Sequence, residues 1–447
     1  MVVGIVIGSG VFFKAQDILN YTGGNLLIGI LAWVIGGIIM IICAFNFANF
    51  ATKYVRVNGV VDYAEAIIGK KYAYMIGWFI AIIYFPAMTG VLAWVSARYT
   101  LLLFNPSADI TGGLCMALGA FYMCLLYALN MLSPRLAGKF EVSATVIKLI
   151  PLATIILIGT IVGLVNGNTT SAFAVSVENT SSDFSTVFAG IAAAAFAYEG
   201  WIVATSINSE LKDPKRDLPR ALVIGTAIIM AVYILYFVGL TGGASVEVLM
   251  KDGSTAAITN LFGNVGGTIL NAFIVISCLG TLNGLMIACP RAVYSLAVRD
   301  VGPKPKTLAS VDPETNMPSN AGILALLICG AWYFYFYGAN LTSPIFGPFS
   351  FDSSELPIIT LYALYIPMFI VFIRKEGRKN IFKNTVMPIL SIIASLFMVF
   401  VAIYAHGIRP YQNAAANGEF AFPVLFYLIV FVVIMAIGAL FYKKREK

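Results

Sequence analysis

Two short interruptions stand inside long apolar segments of this sequence, and their residue types suit the binding of a small zwitterion. The first comprises Ile7, Gly8, Ser9, Gly10 and Val11, and the second comprises Phe196, Ala197, Tyr198, Glu199 and Gly200. Glycine costs about 1 kcal/mol in a helix interior relative to alanine, so both runs predict unwound backbone. Freed N–H groups at the start of a half-helix suit a carboxylate, and freed carbonyl groups can accept hydrogen bonds from an ammonium. Together they predict an α-amino acid site built largely from main chain.

Each interruption also has a structural alternative. Small residues four apart, such as Gly4 and Gly8, form close helix-packing faces in membranes. A carboxylate such as Glu199 inside an apolar helix is costly and indicates a functional site by default. It could instead face a structural pocket at a kink, and the residues alone do not decide between these alternatives.

The elements that must position these interruptions are membrane-spanning helices. Of the 447 residues, 60% are hydrophobic and 11% are charged, whereas soluble domains carry about 25% charged residues. This composition excludes a water-soluble fold and intrinsic disorder, and it predicts an all-α polytopic membrane protein. Twelve apolar segments are long enough to cross a bilayer. We name them spans 1 to 12, and they cover 1–20, 25–51, 72–104, 113–131, 138–165, 184–206, 218–241, 264–297, 320–338, 356–373, 386–405 and 421–442. The interruptions are named break 1 (residues 7–11) and break 6 (residues 196–200) after the spans that contain them.

The basic residues predict the orientation of the spans. Of the 28 Lys and Arg residues, 23 lie in or near the even-numbered loops and the C-terminal tail, and the odd-numbered loops contain only Lys251 and Arg409. Because basic loops stay in the cytoplasm, both termini are predicted to be cytoplasmic. The amphipathic stretch 59–68 is too short to span and is predicted to lie along the inner membrane surface. The net charge of +7 therefore indicates topology rather than nucleic-acid binding.

Span 6 follows span 1 by five helices, an odd number, so the two spans cross the membrane in opposite directions. This spacing predicts two inverted five-helix repeats, 1–165 and 184–373, followed by spans 11 and 12 over 386–442. Broken helices at corresponding positions of inverted repeats are typical of a transport site near the membrane midplane. We therefore expect one transporter domain over residues 1–447.

These residues resemble the L-type amino acid transporter branch of the amino acid–polyamine–organocation superfamily. Residues 8–12 (GSGVF) are similar to the superfamily's motif in span 1, and residues 196–201 (FAYEGW) resemble the branch's break in span 6. Residues 209–221, 282–284 and 291–294 also resemble its pattern. The resemblance extends across spans 1 to 12. It implies a LeuT-type fold and transport of amino acids, mainly by exchange, with small neutral L-amino acids as the expected substrates.

The resemblance implies roles for three further side chains. Lys148, in the middle of span 5, corresponds to a lysine thought to replace the sodium ion of sodium-coupled relatives, and would tether span 5 to break 1. Phe196 resembles the aromatic gate that covers the substrate. A tyrosine on span 7, either Tyr233 or Tyr236, would help to close the site. Ordinary packing, or for Lys148 snorkelling to the inner surface, is the alternative in each case.

Several polar residues are weaker candidates. Ser277 and Asn283 on span 8 could contact the substrate. Arg98 could form an external ion pair with Asp17 or Glu355. The cytoplasmic charges that could form inner-gate bridges are Arg56, Glu141, Glu210 and Arg216.

The expected partners are amino acid substrates and the lipid bilayer. Eukaryotic relatives bind a glycoprotein through a cysteine between spans 3 and 4, and residues 105–111 contain none. We therefore expect no disulfide-linked heavy subunit, and a prokaryotic plasma membrane as the location. Only seven residues precede Gly8, so we expect the natural N-terminus to extend before Met1. No cofactor or metal is expected, because the cysteines lie in apolar segments and His406 stands alone.

Three other functions remain as alternatives. A proton-coupled symporter would share the same fold and site. A membrane-embedded enzyme would need catalytic carboxylates, His or Cys clustered at mid-membrane. A channel would need charge rings or a repeated filter. Neither of the last two patterns is visible in the sequence.

Overall fold

The computed structural model describes residues 6–54, 59–178, 186–202, 205, 213–341 and 343–442. Throughout these ranges the regular structure is helical, and no strand occurs within them. Ten helices of the described residues are long and apolar enough to cross a membrane. They are Leu26–Lys53, Lys70–Phe104, Gly113–Leu132, Pro134–Val165, Lys215–Leu240, Val246–Ala297, Ser319–Leu341, Leu356–Lys379, Phe382–Ala416 and Pro423–Phe441. The predicted polytopic all-α architecture is confirmed.

These ten helices correspond in order to spans 2 to 5 and 7 to 12. The two remaining predicted segments contain shorter helices, Ser9–Tyr21 in span 1 and Thr186–Ala197 in span 6. The predicted stretch 59–68 contains the helix Val60–Ile67. The helix of span 11 extends beyond its predicted end at residue 405 through a further segment, Arg409–Ala416.

Glycines divide the longest helix, Val246–Ala297, into three segments. Gly253 has φ 66° and Gly263 has φ 69°, a left-handed conformation that favours glycine. Only the last segment, 264–297, is the predicted span 8. The two short segments before it, 246–252 and 254–262, were not predicted. Their mixed polar and apolar residues lack the long apolar run by which the spans were recognised.

Small residues set the distances between the helices that surround the breaks. A β-carbon on Gly242 would lie 1.8 Å from the carbonyl oxygen of Gly159, and one on Gly190 would lie 2.9 Å from the Cβ of Ala32. Small side chains let helix backbones approach closely in membranes. The helix Ser9–Tyr21 packs directly against Thr186–Ala197 and against the helix that contains span 8.

Candidate functional site

Break 1 contains a bend at Ile7 and Gly8, immediately before the helix Ser9–Tyr21. Gly8 is the residue that precedes the helix, with φ −139° and ψ −151°, and no side chain caps it. The first turn of a helix leaves N–H groups without intrahelical partners. Break 1 therefore presents amides that can bind an anion. Gly4, which the packing alternative would use, lies outside the described residues, as does the side chain of Ser9.

Break 6 begins where the helix Thr186–Ala197 ends. Residues 198–200 form a turn, in which the N–H of Glu199 donates to the carbonyl oxygen of Phe196 over 3.2 Å. Gly200 has φ 105°, a conformation that side chains with a β-carbon rarely adopt. The sequence places glycine where the backbone of break 6 requires it.

The two breaks lie in contact. A β-carbon on Gly10 would lie 2.8 Å from the Cα of Ala197 and 3.4 Å from its carbonyl oxygen. The rings of Phe13 and Phe196 meet nearby, with centroids 6.2 Å apart. The structure thus brings the amide-rich start of one half-helix beside the carbonyl-rich end of the other. This is the arrangement needed to hold a carboxylate and an ammonium on neighbouring main-chain groups.

An aromatic group of Trp33, Tyr198 and Tyr233 joins the breaks. The Tyr233 hydroxyl donates to the carbonyl oxygen of Val6 over 2.9 Å and also hydrogen-bonds the backbone of Gly8. Its ring stacks on Tyr198 with centroids 5.2 Å apart. The Tyr198 hydroxyl in turn donates to the carbonyl oxygen of Trp33 over 2.9 Å. Tyr233 is therefore the span 7 tyrosine that reaches break 1.

Tyr236, the other candidate on span 7, lies one turn further along. It packs edge-to-face on Phe12 with centroids 5.4 Å apart. Tyr236 therefore contacts span 1 just after break 1, and not within the break.

The Glu199 carboxylate is buried and points towards spans 3 and 10. It accepts a hydrogen bond from the Tyr84 hydroxyl, and Tyr362 and Tyr365 lie near enough to interact with it electrostatically. Sequence reasoning missed these three tyrosines. The geometry matches the structural pocket that stood as the alternative reading of Glu199, and it ties break 6 to spans 3 and 10.

Lys148 is buried, with 2% of its surface exposed. It stands at the junction between the helices Pro134–Ile147 and Leu149–Thr154. Glu141, two turns earlier on the same span, lies close enough to interact with it electrostatically. The Lys148 side chain therefore lies near the Glu141 carboxylate. Glu141 is nearer than Lys148 to the end of span 5 that is predicted to face the cytoplasm.

Asn283 belongs to a buried polar network rather than to a break. Its Nδ2 donates to Glu141 Oε2 over 3.1 Å, and its Oδ1 accepts from Asn130 Nδ2 over 2.9 Å. A second bond from Nδ2 reaches the carbonyl oxygen of Ala137 over 3.3 Å. These contacts link spans 4, 5 and 8 and occupy both ends of the amide.

Span 8 reaches break 1 through Thr281. A β-carbon on Gly8 would lie 2.6 Å from the Thr281 hydroxyl oxygen. That hydroxyl donates to the carbonyl oxygen of Ser277 over 3.0 Å, so the predicted Ser277 lies one turn away from the contact. Sequence reasoning missed Thr281, although its spacing of four residues from Ser277 could have suggested it.

The external ion pair differs from the expectation. Asp17 and Glu355 both bind Lys14, at 3.2 Å and 2.8 Å. Arg98 donates instead to Gln16 Oε1 over 2.9 Å. Of the predicted inner-gate charges, Arg56 and Glu210 lie outside the described residues, and Arg216 is exposed. Among the described residues no group of three or more His, Cys, Asp or Glu side chains is arranged to hold a metal ion.

Comparison with known proteins gives a consistent result. The family model described as "Amino acid permease" matches residues 1–437. The Serine/threonine exchanger SteT of Bacillus subtilis (strain 168) is 30% identical over 409 residues, which cover 89% of this chain and 88% of that protein. The b(0,+)-type amino acid transporter 1 of Mus musculus is 26% identical over 414 residues, covering 90% and 80%. The Large neutral amino acids transporter small subunit 2 of Mus musculus is 26% identical over 334 residues, covering 73% and 61%.

Proposed function

The chain belongs to the amino acid permease family, and from this membership we propose that it exchanges small neutral L-amino acids across the plasma membrane without sodium. The observation that carries the proposal is the contact between break 1 and break 6 at Gly10 and Ala197. A relative that is 30% identical is named as a serine/threonine exchanger, which supports both exchange and small substrates.

The substrate binds through its backbone groups. Its carboxylate accepts hydrogen bonds from the amides that follow Gly8, where the start of the half-helix favours negative charge. Its ammonium donates to the carbonyl groups at the end of Thr186–Ala197. No charged side chain is needed, which suits a substrate without net charge.

The side chains beside the breaks support a small substrate. Gly10 lies against Ala197, and Thr281 lies against Gly8. Tyr233 stacks on Tyr198, and its hydroxyl donates to the carbonyl oxygen of Val6, immediately before break 1. These surroundings favour alanine, serine or threonine over amino acids with long side chains.

Lys148 supplies the argument for sodium independence. Its side chain is buried in span 5, and by the resemblance its positive charge would replace the cation that joins spans 1 and 8 in sodium-coupled relatives of this fold. Exchange then needs no ion site, and it requires only that the empty carrier reorient slowly between its two sides.

The finer architecture is part of the proposal. It comprises twelve spans with inverted repeats over 1–165 and 184–373, spans 11 and 12 over 386–442, and both termini in the cytoplasm. The transporter works without a disulfide-linked heavy subunit, in a prokaryotic plasma membrane.

The test is counterflow in proteoliposomes. Vesicles loaded with unlabelled serine in sodium-free buffer should accumulate external radiolabelled serine, and empty vesicles should not. Replacing the external cation with sodium should leave the rate unchanged. Alanine and threonine should compete well, while leucine and arginine should compete poorly.

Two results would contradict the proposal. Uptake into empty vesicles driven by an imposed pH gradient would identify a proton-coupled symporter instead. Stimulation by sodium would contradict the role assigned to Lys148.

A further inference from the structure

An apolar groove lies where span 3 packs against the end of span 8 and the start of span 9. It has a volume of about 290 Å³, and its ten lining side chains are all apolar, among them Trp78, Ile82, Leu296, Val301, Leu308 and Leu324. We name it the inner groove, because Val301 and Leu308 belong to the loop between spans 8 and 9, which is predicted to be cytoplasmic. None of its lining residues belongs to either break.

Hydrogen bonds between neighbouring helices hold the walls of the inner groove. Trp78 Nε1 donates to the carbonyl oxygen of Ile434 on span 12 over 2.9 Å. Trp332 Nε1 on span 9 donates to the carbonyl oxygen of Ile82 over 2.8 Å. These bonds occupy polar atoms of the walls and fix their positions. The groove is therefore formed before any ligand enters it, as is usual for binding sites.

The lining of the inner groove suits a hydrocarbon chain. The side chains of its floor, such as Ala81 and Val293, are buried, whereas Val301, Leu308 and Leu324 at its rim are half-buried. Sites for water-soluble ligands contain a few polar groups that orient the ligand, and this lining has none. An acyl chain of a lipid needs no such group, because burial of its apolar surface is sufficient for binding.

Exposed lysines lie at the end of the inner groove that is predicted to face the cytoplasm. Lys304 and Lys306 are exposed, in the same loop segment as the lining residue Leu308. Lys71, also exposed, precedes Trp78 by seven residues and so lies on the same helix face, about 10 Å along the axis.

Arg299, at the end of span 8, is already paired with an acidic side chain. Its Nη2 lies 2.5 Å from Asp62 Oδ1. Its charge is therefore largely neutralised within the protein. The exposed lysines of the loop are the groups best placed to bind an anion beside the inner groove.

We propose that the inner groove binds an anionic phospholipid of the cytoplasmic leaflet, with one acyl chain between spans 3, 8 and 9 and the phosphate beside Lys304 and Lys306. The cytoplasmic leaflet is negatively charged and attracts lysines at its surface. The basic rim and the apolar interior thus match the two parts of such a lipid. The site is separate from the breaks, and the inference does not depend on amino acid exchange.

The experiment titrates the purified protein in detergent with dioleoyl phosphatidylglycerol or dioleoyl phosphatidylcholine, and counts bound lipids by native mass spectrometry. The wild type should bind one phosphatidylglycerol more tightly than phosphatidylcholine. Lys304→Gln combined with Lys306→Gln should weaken phosphatidylglycerol binding roughly thirtyfold, about fivefold for each lysine, and should leave phosphatidylcholine binding unchanged. Lys215→Gln combined with Arg216→Gln is the matched control, because these exposed basic residues line no part of the groove. It should bind both lipids like the wild type.

A second pair of variants tests the acyl chain. Leu324→Trp should fill the rim of the groove and weaken the binding of both lipids. Leu327→Trp, three residues further along the same helix and 66% exposed, should bind like the wild type. If Leu324→Trp lowers the melting temperature without lipid, the lysine variants, which alter only exposed residues, decide the test.

Four results would overturn the inference. The first is equal binding of the two lipids by the wild type, and the second is unchanged phosphatidylglycerol binding in the double lysine variant. The third is binding of glycerol phosphate as tightly as the intact lipid, which would indicate a site for free phosphate groups. The fourth is a dimer in the wild type that Leu324→Trp abolishes, which would assign the groove to a second copy of the chain.

Discussion

Gly10 and Ala197 lie so close that a β-carbon on Gly10 would come within 2.8 Å of the Cα of Ala197. The contact is between backbone atoms, so no flexible side chain can move aside to relieve it. It joins the two helix breaks at the point where the substrate's carboxylate and ammonium would be held.

We therefore expect Gly10→Ala to reduce serine exchange strongly. Overpacking typically costs about 1–3 kcal/mol, which corresponds to a loss of roughly five- to 150-fold in kcat/KM. Gly138→Ala is the matched control, because a β-carbon there meets nothing within 4 Å. Equal activity of the two variants would show that the breaks separate freely and that their contact is unimportant.

Tyr233→Phe should weaken exchange through break 1. The variant loses the hydrogen bond to the carbonyl oxygen of Val6, and a bond of this kind contributes about 1 kcal/mol. We expect kcat/KM to fall about fivefold. Tyr74→Phe removes a comparable buried bond, to the carbonyl oxygen of Gly438 over 2.8 Å, away from the breaks. Tyr74→Phe should leave kcat/KM unchanged, and a similar fall in kcat/KM in both variants would contradict a specific role for Tyr233.

Lys148→Met should lower exchange by more than tenfold, because it removes the buried cation and leaves Glu141 without that charge. Lys139→Met, an exposed lysine on the same span, is the control and should be active. Rates should be measured in sodium-free and sodium-containing buffer. Unchanged exchange in Lys148→Met would remove the proposed role of this residue in replacing sodium.

The helices and the breaks could be predicted because both are local properties of the sequence. Apolar length identifies spans 2 to 5 and 7 to 12, and glycine identifies the positions at Gly8 and Gly200 where the backbone departs from the helix. The short helices before span 8 were missed, since they lack a long apolar run.

The side chains that surround the breaks were harder to predict because they come from distant parts of the chain. Tyr84 and Glu199 are 115 residues apart, and Lys14 and Glu355 are 341 residues apart. Both Lys14 and Arg98 were available to pair with Glu355, and charge alone could not choose between them. The packing of the helices determines which residue pairs with Glu355. Arg98 hydrogen-bonds Gln16, and Lys14 binds Glu355.

Tyr84→Phe should loosen break 6 by removing the hydrogen bond to the buried Glu199 carboxylate. An unsatisfied buried polar group costs about 1–3 kcal/mol, so we expect exchange to fall about tenfold. Tyr72→Phe is the control, because Tyr72 donates to the carbonyl oxygen of Leu364 over 2.6 Å and also links spans 3 and 10. Glu199→Gln combined with Tyr84→Phe should be no worse than Tyr84→Phe alone. Additive losses would mean that the two residues act separately.

Gly242→Ala should destabilise the whole fold rather than the site alone. A β-carbon there would lie 1.8 Å from the carbonyl oxygen of Gly159 and 2.7 Å from its carbonyl carbon, so spans 5 and 7 would have to separate. Forced repacking of this kind costs about 1–3 kcal/mol or more, and the melting temperature in detergent should fall by several degrees. Gly330→Ala, where a β-carbon meets nothing within 4 Å, should melt like the wild type. Matching melting curves for the two variants would show that the crossing of spans 5 and 7 does not depend on glycine.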